Sequence, residues 1–139
     1  MTNQSHLTVP AVVVSLEMIQ LIIADACQRY SLPNETAADL ELAIDEAVSN
    51  IIEHSYRGMP PGEITLILRF EAHLVRVEIR DQGRGFDPDK IPQPDIHAPL
   101  EERQAGGLGW FLIERLMQDI EYRRAASGNI LTFSRYLES

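Results

Sequence analysis

Cysteine and lysine are nearly missing from this chain of 139 residues. Cys27 stands alone, so no disulfide can close within the chain, a usage suited to a reducing compartment. Of the 12 cationic residues only Lys90 is a lysine, which leaves one candidate for any mechanism built on a phosphate-binding lysine. The cations are outnumbered by 21 acidic residues, giving a net charge of −9 and a pI near 4.8. That balance lacks the basic footprint of a chain that binds nucleic acid or an anionic membrane directly. Long hydrophobic runs are missing too. The most apolar stretch, residues 11–26, is interrupted by Ser15, Glu17, Gln20 and Asp25, which suits an amphipathic helix and not a membrane span. No Lys or Arg precedes Arg29, so the basic start of a secretory signal is lacking, and a soluble cytoplasmic protein is expected.

What is present is an ordinary globular balance, 45% apolar and 24% charged, and the length fits one domain spanning 1–139. Residues 5–9 alternate as a short strand. Leu16, Ile19, Ile23, Ala26 and Cys27 recur at helical spacing within 13–30. After Leu32-Pro33, Asn34 is placed to cap a second helix whose apolar stripe is Leu40, Ala43, Ile44, Ala47, Val48 and Ile51, ending near Arg57-Gly58. Ile64, Leu66, Leu68 and Phe70, then Val75, Val77 and Ile79, alternate as two strands joined by a short turn. Residues 87–105 hold four of the eight prolines and show neither period, the texture of a functional loop. A helix over 108–118, with Leu112 and Leu116 inward, and a hairpin around Ser127-Gly128-Asn129 complete the chain. The order β-α-α-β-β-loop-α-β-β predicts an α+β two-layer sandwich, with helices on one face of a mixed, mostly antiparallel sheet.

Three segments carry chemistry. Glu46-Ala47-Val48-Ser49-Asn50 puts a carboxylate and an amide one helical turn apart, with Glu53 and His54 beyond, so a proton acceptor and a hard oxygen ligand suited to Mg²⁺ share a face. Taken alone, such residues are ordinarily just solvated. Asp81-Gln82-Gly83-Arg84-Gly85 stands at a strand end, offering an acceptor beside two glycines that let backbone approach a ligand. A tight turn explains it equally well, but a calcium loop does not, because Gly83, Gly85 and Pro92 occupy ligand positions. Gly106-Gly107-Leu108-Gly109 opens a helix, where free N–H groups favour a phosphate. It is neither a Walker A loop, since Trp110-Phe111 follows, nor a dinucleotide fingerprint, since Leu112 takes the third glycine position.

In that order within one small domain, the three segments resemble the N-box, G1-box and G2-box of the GHKL ATP-binding family: Glu46-x-x-x-Asn50, Asp81-x-Gly83-x-Gly85 and Gly107-x-Gly109. The chain is more closely similar to the stand-alone bacterial anti-sigma-factor serine/threonine-protein kinases. The likeness runs through Glu46-Ala47 to Asn50 and His54, the Gly106–Gly109 run, and Leu116-Met117. The resemblance spans residues 9–137 and implies the family's ATP-binding fold, ATP and Mg²⁺ as cofactors, and these roles. Glu46 would be the general base, and Asn50 the magnesium ligand. Asp81 would accept from the adenine amino group, with Gly83 and Gly85 admitting the base. Residues 87–105 would form a lid, and Gly107, Leu108 and Gly109 would meet the phosphates. Thr132 would be the adenine-side threonine and Arg103 a γ-phosphate arginine, with Arg84 a second candidate cation.

The function implied is phosphorylation of an anti-anti-sigma STAS-domain protein, sequestration of a sigma factor and regulation of transcription, by a homodimer. Two other readings compete. A non-catalytic ATP-binding regulatory module would need no base, which the pairing of Glu46 with Asn50 weighs against. A histidine-kinase catalytic domain would need a phospho-acceptor helical hairpin upstream, where only His6 is found.

Overall fold

The structure is a computed structural model that describes residues 3–85 and 107–137. The segment expected as a lid lies outside the described residues, as do Lys90 and Arg103. Strand β1 (Gln4–Pro10) leads into helices α1 (Ser15–Arg29) and α2 (Asn34–Asn50), and α2 runs on through a π turn, Ile51–Ser55. Strands β2 (Glu63–Phe70) and β3 (Leu74–Asp81) follow, then α3 (Gly107–Leu116), β4 (Gln118–Ala125) and β5 (Gly128–Tyr136).

The five strands form one sheet in the order β1-β2-β3-β5-β4. Every described pairing is antiparallel, so the expected mostly antiparallel sheet is here antiparallel throughout. Period-two alternation turns Ile64, Leu66, Leu68, Val75, Val77, Ile79, Leu131 and Phe133 toward the helices, where they form one core with Ile19, Ile23, Leu40, Ile44, Val48 and Ile113. Arg69, Arg76, Glu78 and Arg80 alternate onto the other face, and Glu78 is buried there between Arg69 and Arg80 (3.8 and 2.6 Å).

All six residues of the stripe read on α2 are buried. The capping of that helix differs from expectation. Asn34 is its first helical residue and makes no cap; the preceding Pro33 has extended ψ (148°), and its carbonyl accepts the first helical N–H, from Ala37, at 3.0 Å. Helix α3 is rotated relative to the sequence reading. Trp110, Ile113 and Met117 are buried, while Leu112 and Leu116 are only partly so. The reason lies at its amino end, where Gly109 is pressed against α2 and brings Ile113, one turn on, into the core.

Candidate active site

Helix α2 supplies the first two groups. Glu46 stands beside the buried stripe, and its carboxyl is raised above the ordinary carboxylate range, by burial first and then by Asp45 and Glu53. Its Oε2 lies where a side chain on residue 109 would begin: a Cβ there would be 2.6 Å away. Glycine at 109 therefore lets the amino end of α3 close directly over the Glu46 carboxylate. Asn50 follows one turn along. It is 7% exposed.

The strand-end motif is held more tightly than its sequence suggests. Asp81 is buried at the end of β3, and its Oδ1 accepts three hydrogen bonds: from Ser55 Oγ (2.5 Å), Gly83 N (2.9 Å) and Asn129 Nδ2 (2.9 Å). Its Oδ2 takes none among the described residues. Ser55 ends the π turn, where helix-end carbonyls lack intrahelical partners, and its carbonyl accepts from Arg84 N at 2.6 Å. Ser55 Oγ in turn accepts from Gly85 N (3.0 Å), and Gly85 adopts φ +71°, a conformation that suits glycine. Asn129 Nδ2 reaches the Gly83 carbonyl as well (3.0 Å).

The sequence-read residues thus divide. Glu46 and Gly109 meet where α2 faces α3, and Asn50 lies one turn further along α2. Asp81, Gly83 and Gly85 form the turn packed on the carboxyl end of that same α2 segment, and Gly107 and Leu108 lie in the first turn of α3. Thr132 is not with them. It pairs with Glu78 and Glu121, on the face away from the helices, because an offset of three from Asn129 reverses the face in a period-two strand. The position opposite Asp81 belongs to Asn129. His54 stays at the helix end between Glu53 (3.8 Å) and Arg57 (3.2 Å), and the Arg84 guanidinium lies against Gly58.

Ser55 and Asn129 were the residues missed. Ser55 continues the stripe Ile44-Val48-Ile51, and a serine at the end of an apolar stripe was the available signal. Asn129 follows a turn glycine and reads as part of the turn.

Taken together, these groups fit a nucleoside triphosphate. An amide at a largely buried position stands on α2, a helix amino end lies against a carboxylate, and a buried Asp has one oxygen that accepts no hydrogen bond among the described residues. The fold and site define an ATP-binding α/β sandwich. A family model described as histidine kinase-like ATPase domain matches residues 9–135. The serine-protein kinase RsbW of Oceanobacillus iheyensis is 29% identical, over 99% of this chain and 90% of its own. That of Listeria monocytogenes is 30% identical, over 87% of this chain and 80% of its own. In a crystal structure of the RsbU and RsbW domains of a Mycobacterium tuberculosis protein, 98% of this chain superposes with a TM-score of 0.68 at 17% identity, which carries the fold alone. This chain spans a third (33%) of that one. The chain belongs to the histidine kinase-like ATPase domain family, among its RsbW-type serine-protein kinases, and ATP is the nucleotide of that family.

Proposed function

We propose that this serine-protein kinase transfers the γ-phosphoryl group of Mg-ATP to a serine of an anti-anti-sigma protein of the STAS class, and that it sequesters a sigma factor when that substrate is phosphorylated. The observation that carries the catalytic reading is the contact between Glu46 and Gly109. It brings a carboxylate with a raised pKa against a helix amino end, and Asn50 follows one turn further along α2.

In this reading Asn50 holds the magnesium ion, which when bound neutralises charge across the phosphates. Backbone N–H groups at the start of α3 face the phosphate oxygens. Glu46 accepts the proton of the incoming serine hydroxyl as its oxygen bonds to the γ-phosphorus and the bond to the ADP oxygen breaks. A base whose pKa is lifted toward neutrality is a stronger proton acceptor, and general-base help of this kind is worth about 10²–10⁴ in rate. Asp81 accepts from the adenine amino group through Oδ2.

The test uses γ-labelled ATP, Mg²⁺ and a purified STAS-domain protein, with wild type beside Glu46→Gln. Acid-stable label on the substrate is expected with wild type. With Glu46→Gln the label should fall by about 10²-fold or more, with nucleotide affinity kept. Transfer at the wild-type rate by Glu46→Gln would remove Glu46 as the base. Acid-labile label would replace the serine acceptor with a histidine, and ATP binding without any label would leave a regulatory binding module.

A further inference from the structure

We infer that Ser55 and Asn129 are positioning residues that fix which atom of the Asp81 carboxylate faces the base, and so set the nucleotide preference of the site. The inference rests on the reading of Asp81 as the adenine acceptor and goes beyond it. A carboxylate in a pocket can turn, share its acceptor oxygens among donors or exchange them with water. Here it cannot. Oδ1 is taken by three donors from three separate elements: the π turn after α2, the glycine turn after β3, and the first residues of β5. Among the described residues, Oδ2 receives no donor.

The clamp is also closed on itself. Ser55 donates to Asp81 and accepts from Gly85, while Asn129 bridges Asp81 to the Gly83 carbonyl. Both partners are buried, Ser55 at 0% and Asn129 at 4% exposure, so water does not compete for these bonds. The motif Asp81-x-Gly83-x-Gly85 is therefore held from outside itself. Because Ser55 lies five residues beyond Asn50, the same helical segment carries the proposed metal ligand and the element that aims the base acceptor.

An acceptor fixed in this way matches a purine with a 6-amino group, which donates. A 6-oxo purine would set an acceptor against an acceptor, and a purine bare at position 6 would leave Oδ2 unpaired. The clamp makes a sharper demand on Asp81→Asn. Three donors point at the Oδ1 position, so the new amide must place its oxygen there and its NH2 where Oδ2 was. That group donates, so the variant should disfavour ATP and accept GTP.

The experiment measures Kd for ATP, GTP and purine riboside triphosphate, which lacks the 6-amino group, on the full chain with Mg²⁺. Wild type should bind ATP at least tenfold more tightly than either analogue. In Ser55→Ala and Asn129→Ala the ATP advantage over purine riboside triphosphate should fall by about tenfold, with the affinity for purine riboside triphosphate held near wild type. Asp81→Asn should move the ATP/GTP ratio toward GTP, and adding Ser55→Ala should weaken that move because the amide can then turn over. Thermal melts of each variant accompany the binding series. Loss of affinity for all three nucleotides by the same factor would make the clamp merely structural and overturn the inference. An Asp81→Asn ratio equal to wild type would overturn the reading of Asp81 itself. A shifted Asp81→Asn ratio beside unshifted Ser55→Ala and Asn129→Ala ratios would overturn the clamp alone.

Discussion

Glu46 has its pKa raised chiefly by burial and further by the charges of Asp45 and Glu53. All three effects disfavour the ionised form in the folded protein, and that fixes the sign of two pH dependences. A raised folded-state pKa gives a contribution to stability that is full below the ordinary carboxylate value and is lost as pH rises through the folded value. At neutral pH the ionised Glu46 therefore destabilises the fold relative to a neutral isostere. Glu46→Gln should raise Tm at pH 7, and the gain should shrink toward zero at about pH 3, well below the ordinary carboxylate value, where Glu46 is protonated in the folded and unfolded chain alike. Thermal melts at the two pH values check this, and a lowered Tm at pH 7 would mean that the carboxylate makes favourable contacts outweighing its burial. The same shift appears in catalysis. Phosphorylation by wild type should fall on the acid side with an apparent pKa above the ordinary carboxylate value, and the residual rate of Glu46→Gln should lack that limb. One residue would then show a gain in stability and a loss of activity together, as expected where a site holds a charge the fold disfavours.

At the scale of elements, what could be read from sequence depended on how many residues voted. The stripe of α2 rests on six apolar positions at one period, and every one is buried. The strands β2 and β3 rest on seven alternating apolar residues, likewise all buried. Helix α3 offers apolar residues on several sides, Trp110, Leu112, Ile113, Leu116 and Met117, so periodicity left its rotation open and contact with α2 decided it. Thr132 was a single residue judged without its strand register, and register is a property of pairing across the sheet. The glycines of the motifs were legible as glycines, but the atoms they admit were not. A Cβ at Gly83 would lie 2.3 Å from the Ser55 carbonyl oxygen and 2.4 Å from its Oγ. That is backbone of a helix end and cannot turn aside. Gly83→Ala should destabilise the fold by about 1–3 kcal/mol and weaken nucleotide binding. At Gly109 the obstacle is the movable end of the Glu46 side chain. Gly109→Ala should leave the fold nearly intact and lose phosphoryl transfer. Urea denaturation beside a transfer assay separates the two, and equal loss of stability in both variants would contradict the distinction.

The proposed mechanism depends on keeping two layers in register, since it draws Glu46, Asn50 and Ser55 from the helical layer and Asp81 and Asn129 from β3 and β5. Apolar packing joins the layers but does not by itself fix how one sits along the other. Arg135 of β5 supplies a directional tie. Its Nη2 lies 2.9 Å from Asp39 Oδ2 on α2, and its Nη1 donates at 2.9 Å to the Leu116 carbonyl at the end of α3. Both members of the ion pair are about four-fifths buried (21% exposed each), unlike Arg29 and Asp25, a pair within α1 exposed at 59% and 61%. Exposed pairs contribute little because water and salt screen them and two long side chains must be ordered. Removing one member of a buried pair leaves the other charge and any shared acceptor without a partner. Arg135→Met should therefore lower stability by about 2–3 kcal/mol, seen as a lower urea midpoint with an unchanged slope. Asp25→Ala should change it by less than about 0.5 kcal/mol. Asp39→Leu in the Arg135→Met background should cost less than Asp39→Leu alone, because the carboxylate it removes has already lost its partner. Because α2 also holds Glu46 and Asn50, Arg135→Met should slow transfer under conditions where the chain is still fully folded. Full transfer activity in a destabilised Arg135→Met would mean that the layers keep their register by packing alone.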